Sequence, residues 1–278
     1  MAGLIAVNGS TGQLGGRIAR LIAKSGAHQR LLVRDTSRVP ALPNAKAESV
    51  DLTDGAATRR QLAGADTFVF VSLPESKHRA RQQVSIVEAA AAAGVERIVY
   101  VSFVSAAPDC TFTFGRDHWH TEQAIVGSGM DFVILRNNFY QDLLVEFRGP
   151  EGVIAGPAAN GRVAAVARDD SAAAIAAAAL DDAQNKHTYT LTGPEALTMT
   201  EVAEIITDVT GKPTTYKAET FDEAYDSRAA FGAEAWEVDG WVSSYAAIAN
   251  GETAIVTNDV ETLTGRPPRS FREYLAGQ

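Results

Sequence analysis

The chain has 278 residues, 46% of them apolar and 21% charged, which suits one large α/β domain or a nucleotide domain with an appended lobe. A net charge of −9, from 25 Lys and Arg against 34 Asp and Glu, with no basic tract, argues against a nucleic-acid partner. The single cysteine, Cys110, excludes an intrachain disulfide framework and a multi-thiolate metal site, and a cytoplasmic location is expected.

The opening MAGLIAVNG has no charged segment ahead of its apolar residues and reads as a strand rather than a secretory leader. Continuous apolar runs at Leu4–Asn8, Arg30–Arg34, Asp66–Ser72, Arg97–Ser102 and Asp131–Arg136 read as strands buried on both faces, and AESVDL adds another. Between them, Gly12–Lys24, Ala56–Leu62, His78–Ala93 and Arg116–Val126 read as helices. This alternation predicts an α/β fold, a doubly wound parallel sheet of the Rossmann-like kind. After Tyr140 the pattern loosens into Gly- and Pro-rich stretches. An Ala-rich helix at Ser171–Asp182, a strand in HTYTLTG, and a helix capped by Thr200 and closed by Gly211 follow. The expected division is a dinucleotide-binding core at 1–140, to which later strands return, and a mainly substrate-binding α+β lobe at 141–278. The run Ser171–Leu180 is too short to cross a bilayer, so no membrane association is expected.

The stretch VNGSTGQLGG places Gly9, Gly12 and Gly15 between the first strand and the first helix. Glycines there let the turn bend sharply and bring backbone N–H groups against a pyrophosphate at the positive end of a helix. Ser10, Thr11, Gln13 and Leu14 complete the expected cradle. At the end of the second strand, Arg34 and Arg38 would bind the 2′-phosphate of NADPH, whereas Asp35 would instead accept from the ribose of NADH. NADPH is the expected cofactor, with NADH the alternative. Asp51 is a candidate acceptor for the adenine amino group, or else a cap for the helix that begins near Asp54.

These residues, together with GVERIVYVSFVSA, HWHTEQAIVGSGMDFVILRNNFYQDLL and TGRPPRSFREYL, make the chain resemble the NmrA-like atypical branch of the short-chain dehydrogenase/reductases. The likeness is nearest to the type-two NADPH:quinone oxidoreductases and the triphenylmethane reductases. Its most specific part is His118-x-x-Thr121-Glu122 followed by Leu135-Arg136-Asn137. Ordinary members of the superfamily carry a Tyr-x-x-x-Lys acid on the helix after the fifth strand. Here the resemblance puts His118 at the tyrosine position and Glu122 at the lysine position, while Ser102 matches the usual serine.

Without that acid the chemistry narrows. Reducing a simple ketone needs a proton donor, but a quinone or a triphenylmethane cation accepts hydride without one. The resemblance therefore implies a reductase that uses NADPH, without flavin or metal, on a quinone-like or dye-like acceptor. Ser72, Leu73, Pro74, Ser102, Phe103 and Asn137 are expected beside the nicotinamide end of the cofactor. His118 and Asn137 are candidates for positioning roles in catalysis. His118, Trp119 and Tyr140 are candidates for holding a flat substrate, and each is equally readable as a core or turn residue. The remaining histidines have no metal-ligand spacing. The reading from a different class is a non-catalytic NmrA-like NAD(P) sensor acting on a protein partner, and a monomer or homodimer suits either reading.

Overall fold

The computed structural model describes residues 3–278; Met1 and Ala2, part of the opening stretch read above, lie outside the described residues. In chain order the elements begin β1 (Ile5–Asn8), α1 (Gln13–Ser25), β2 (Gln29–Val33), β3 (Ala45–Ser49), α2 (Gly55–Leu62) and β4 (Thr67–Val71). They continue with α3 (Arg79–Ala92), β5 (Arg97–Phe103), α4 (Thr113–Gly127), β6 (Asp131–Asn137), α5 (Gln141–Glu146), β7 (Val153–Gly156) and β8 (Arg162–Val163). The rest are α6 (Arg168–Leu180), β9 (His187–Leu191), β10 (Leu197–Thr198), α7 (Met199–Thr210), β11 (Thr215–Ala218), α8 (Phe221–Ala229), α9 (Ala235–Ala249), α10 (Asp259–Thr264) and α11 (Phe271–Ala276).

Seven strands form one sheet in the order β3-β2-β1-β4-β5-β6-β9. The registers from β3 across to β5 are parallel. Bonds from Asp131 N to Glu96 O and from Val104 N to Asn137 O start and finish β6 alongside β5, and β9 joins β6 in the same sense. The order reverses at β1, where β2 lies on one side and β4 on the other, and the strands' carboxyl ends share one edge. In such sheets ligands bind outside that edge, at the reversal.

The chain divides into two compact units. The first comprises the chain up to Ser102, Asp117–Arg136 and Ser171–Tyr189. Its central strands are buried, every residue of β1 and β5 among them, as strands covered on both faces require, while β3 at the sheet's edge is partly exposed. Phe68, Phe70, Ile86, Ile98 and Ile125 form the centre of its core. β5 opens on a buried Arg97, tolerated because its guanidinium donates to Ala178 O at 2.8 Å and Asp181 O at 2.9 Å. The second unit comprises Phe103–Arg116, Asn137–Asp170 and Thr190–Gln278. It contains the parallel pair β7·β11 and the antiparallel pair β8·β10, and its core gathers around Phe139, Leu144, Ile154, Met199, Val202 and Phe271.

Several boundaries differ from the sequence reading. The helix read from Thr200 is capped two residues earlier, by Thr198, whose hydroxyl accepts from Glu201 N while the Glu201 carboxylate accepts from Thr198 N. The box spacing of Thr198 and Glu201 outweighs the later threonine. The Ala-rich helix starts at Arg168 rather than Ser171, with Asp169 and Asp170 in its first turn, where carboxylates complement the helix dipole. Asp51 does not cap α2; Asp54 does, accepting from Ala57 N at 3.0 Å.

Candidate functional site

Gly9 follows β1 directly and adopts φ +68°, which a residue with a Cβ resists. The turn closes through Gly12 N donating to Gly9 O at 2.8 Å, and Gly16 N donates to Gly12 O as the first helical bond. A Cβ on Gly15 would lie 2.4 Å from Gly9 O, so only glycine lets α1 pack this close to the turn. Gly12 at the N-cap offers no side chain, and the first turn of α1 has no acidic residue. The N–H groups of that turn are therefore left for a ligand. Ser10 is buried, and its hydroxyl has no partner among the described residues. A cradle that a Cβ would fill, a helix end without a carboxylate and an orphaned hydroxyl fit the pyrophosphate of a dinucleotide.

β2 ends at Val33, which puts Arg34 and Arg38 in the exposed segment just beyond the strand. Asp35 is occupied otherwise: Oδ1 accepts from Ser37 N at 3.0 Å and from Ser37 Oγ at 2.7 Å, capping the short helical turn Thr36–Arg38. Those bonds from Ser37, with Arg38 nearby, lower its pKa. Asp51 accepts in the same way from Thr53 N and Oγ1, which with Arg34 nearby lowers its pKa too. Unlike these two carboxylates, the Arg34 and Arg38 side chains make no hydrogen bond among the described residues.

At the reversal, Asn8 joins the ends of β1 and β4 as a backbone would: Nδ2 donates to Val71 O at 2.7 Å, and Oδ1 accepts from Val71 N at 2.8 Å. Ser72, Leu73 and Pro74 follow. Leu73 N donates to the buried Gln83 Oε1 at 2.9 Å.

On α4, Glu122 is buried and faces Arg136 of β6 through two bonds, Nε to Oε1 at 2.9 Å and Nη2 to Oε2 at 2.5 Å. Ser102 Oγ donates to the same carboxylate at 2.6 Å. The serine's one proton is thus committed to Glu122. One turn earlier His118 is 7% exposed, and its Nδ1 lies 2.9 Å from the Tyr100 hydroxyl. Burial and the nearby Arg79 guanidinium hold its pKa well below the ordinary histidine range, so the ring is neutral. Trp119 is half-buried with its ring against His120, centroids 5.0 Å apart.

Three candidates belong to the second unit. Asn137 ends β6 and is buried. The Phe103 ring is enclosed by Phe112 and Phe139, at 4.9 and 5.0 Å between centroids. Tyr140 has the Arg168 guanidinium 4.0 Å from its ring centroid, with Arg168 itself paired to Asp142. One face of that ring is therefore taken. Sequence reasoning missed Asn8, Gln83, Tyr100 and the Glu122–Arg136 pairing. A buried-strand pattern interrupted by Asn8 just before the glycines was the one available signal among these.

Among the described residues no cluster of His, Cys, Asp and Glu could hold a metal ion, and no helix is long and apolar enough to cross a membrane. The model of the NmrA-like family matches residues 1–227. Over 278 residues the chain is 30% identical to the NAD(P)H azoreductase of Xenophilus azovorans, covering 98% of this chain and 96% of that protein. It is similar to the NADPH complex of the NADPH-dependent quinone oxidoreductase of Escherichia coli. The TM-score is 0.91, at 27% identity, over 98% of this chain and 99% of the other. The Citrobacter triphenylmethane reductase complexed with NADP(H) matches with a TM-score of 0.88, at 26% identity, over 99% of each chain. With the cradle, the reversal in the sheet and a match across most of its length, the chain belongs to the NmrA-like family.

Proposed function

We propose that this NAD(P)H-dependent oxidoreductase draws on NADPH and reduces a quinone or a similarly flat, conjugated acceptor by direct hydride transfer. NADPH, when bound, supplies the hydride from the reduced nicotinamide. The cradle from Gly9 to Gly15 holds the pyrophosphate through backbone N–H groups and the Ser10 hydroxyl. Arg34 and Arg38 take the 2′-phosphate, a preference supported by the engagement of Asp35 with Ser37. Ser72 to Pro74 border the nicotinamide ribose.

The observation that carries the reading is the Ser102–Glu122–Arg136 arrangement. Where the superfamily lysine would sit, this chain has a carboxylate closed off by an arginine, with the serine's proton spent on it, and where the tyrosine acid would sit it has the buried His118. A quinone that accepts hydride becomes a hydroquinone anion, delocalised over ring and oxygens, and water supplies its proton. No side chain is needed as acid, and neither flavin nor metal is required. The relatives support the acceptor class, since azo dyes, quinones and triphenylmethane dyes are all conjugated.

The test follows nicotinamide absorbance with purified protein, NADPH or NADH, and a small quinone. Quinone-dependent oxidation that prefers NADPH, slowed by deuterium at the transferred position but insensitive to solvent deuterium, is expected. Tight NADPH binding with no turnover on quinones and a cationic dye would overturn the proposal in favour of a sensor.

A further inference from the structure

Within the first unit a chain of hydrogen bonds runs from the segment after β4 into α4, and its polarity follows from which groups can only donate. Leu73 N can only donate, so the atom of Gln83 that it meets at 2.9 Å is the carbonyl Oε1. The Gln83 amide nitrogen therefore points the other way, 2.9 Å from Thr121 Oγ1 and 3.3 Å from the Tyr100 hydroxyl. It donates to both. Thr121 spends its own proton on Asp117 O at 2.8 Å, so it accepts from Gln83. The Tyr100 hydroxyl also accepts from Gln83, and with its other neighbour Thr121 Oγ1 already accepting from Gln83 at 2.9 Å, its proton goes to His118 Nδ1, 2.9 Å away. Gln83, Thr121 and Tyr100 are each fully inaccessible to solvent, so water does not compete for these bonds.

We propose that Gln83 is a positioning residue with two arms: its carbonyl fixes Leu73, and its amide, acting through Tyr100, holds His118 as the tautomer protonated on Nε2. The first arm rests on the reading above that Ser72 to Pro74 border the nicotinamide; the second stands without it. A neutral histidine in that tautomer is a hydrogen-bond donor at Nε2 alone. Burial also pushes the Tyr100 phenol pKa up, which keeps the hydroxyl proton in place.

The two arms separate in one set of measurements. Long-range proton–nitrogen correlation spectra of the whole protein, with the His118 signals assigned by their loss in His118→Gln, report the tautomer without cofactor or activity. The expected pattern is an unprotonated Nδ1 and a protonated Nε2 on His118. Tyr100→Phe keeps the ring that packs 5.3 Å from Phe70 and keeps the Gln83–Leu73 bond. It should redistribute the His118 tautomer while changing the Kd for NADPH less than twofold. Gln83→Met removes both arms and should shift the His118 signals and raise that Kd about tenfold, the scale of one buried hydrogen bond left unmade. Gln83→Glu, buried and protonated, keeps the acceptor for Leu73 and should restore most of the NADPH affinity.

A wild-type His118 protonated on Nδ1 would overturn the tautomer arm. Unchanged NADPH affinity in a folded Gln83→Met would overturn the Leu73 arm. Absence of NADPH binding by the wild-type protein would instead sink the functional reading and leave the tautomer result standing.

Discussion

Replacing Gly15 by alanine tests the cradle through geometry alone. The added Cβ would sit 2.4 Å from Gly9 O, 2.6 Å from Gly9 C and 3.0 Å from Asn8 O. A carbon and a carbonyl oxygen meet comfortably at about 3.4 Å, so the deficit is about 1 Å. All three obstacles are backbone, and none can rotate aside. The relief left is for α1 to move away from β1 by roughly that distance. Ile18 and Ile22, both wholly buried on α1, would then lose close packing, at a cost of about 1–3 kcal/mol. The first-turn N–H groups would also leave the pyrophosphate. A hydrogen bond to a charged group contributes about 1.5–3 kcal/mol, so the Kd for NADPH should rise roughly ten- to hundredfold. Nicotinamide fluorescence titration reads the affinity, and thermal unfolding of the apo protein reads the stability. Gly26→Ala is the control: Gly26 has φ +86° and open space around it, so alanine should cost about 1 kcal/mol of stability and leave NADPH affinity alone. A Gly15→Ala protein that binds NADPH within twofold of wild type would refute the reasoning.

Arg34→Ala combined with Arg38→Ala should weaken NADPH binding about tenfold or more while leaving NADH affinity unchanged, because only the former carries the 2′-phosphate; equal losses for both cofactors would contradict the assignment. Arg136→Ala strands the buried Glu122 carboxylate and should cost about 3 kcal/mol, at the low end for a broken buried pair because the arginine is 29% exposed; the denaturant midpoint reads this. His118 gives a pH signature whose sign is fixed by its lowered pKa. Folded, the ring stays neutral, while the unfolded chain takes up a proton near pH 6.5. Its contribution to stability is thus fully present above that pH and falls as pH drops below it, by up to about 1.4 kcal/mol per unit. Unfolding free energies between pH 5 and 8 should show a shallower slope in His118→Phe than in wild type.

The sheet and the cradle were legible because both rest on local signals. Continuous apolar runs mark strands covered on two faces, and glycines between such a run and an amphipathic helix mark a tight strand-to-helix turn. Glu122 was visible as an anomaly, an acid where the family pattern puts a lysine. Its partner Arg136 was not, because it lies fourteen residues on, in the next element. Tyr100 reads in sequence as one more strand residue, and nothing near it announces that Gln83 and His118 converge on its hydroxyl. α8 and α9 escaped the reading for another reason. Their aromatic residues do not keep to one stripe: Phe221 is 54% exposed and Phe231, in the link between the helices, 70%. The apolar periodicity that marks a helix in sequence is therefore blurred there.

The way the chain returns to its first unit bears on how the molecule is made. β9 and the later turns of α6 come from Ser171–Tyr189, and the Arg97 guanidinium closes on Ala178 O and Asp181 O. When synthesis has reached Tyr140, every strand through β6 has been translated, yet β6 still has an open edge and Arg97 a buried charge with no carbonyls to meet. The nascent chain therefore holds the nucleotide-binding sheet unfinished until about fifty more residues have emerged, and for that interval the exposed edge of β6 is open to pairing with other chains.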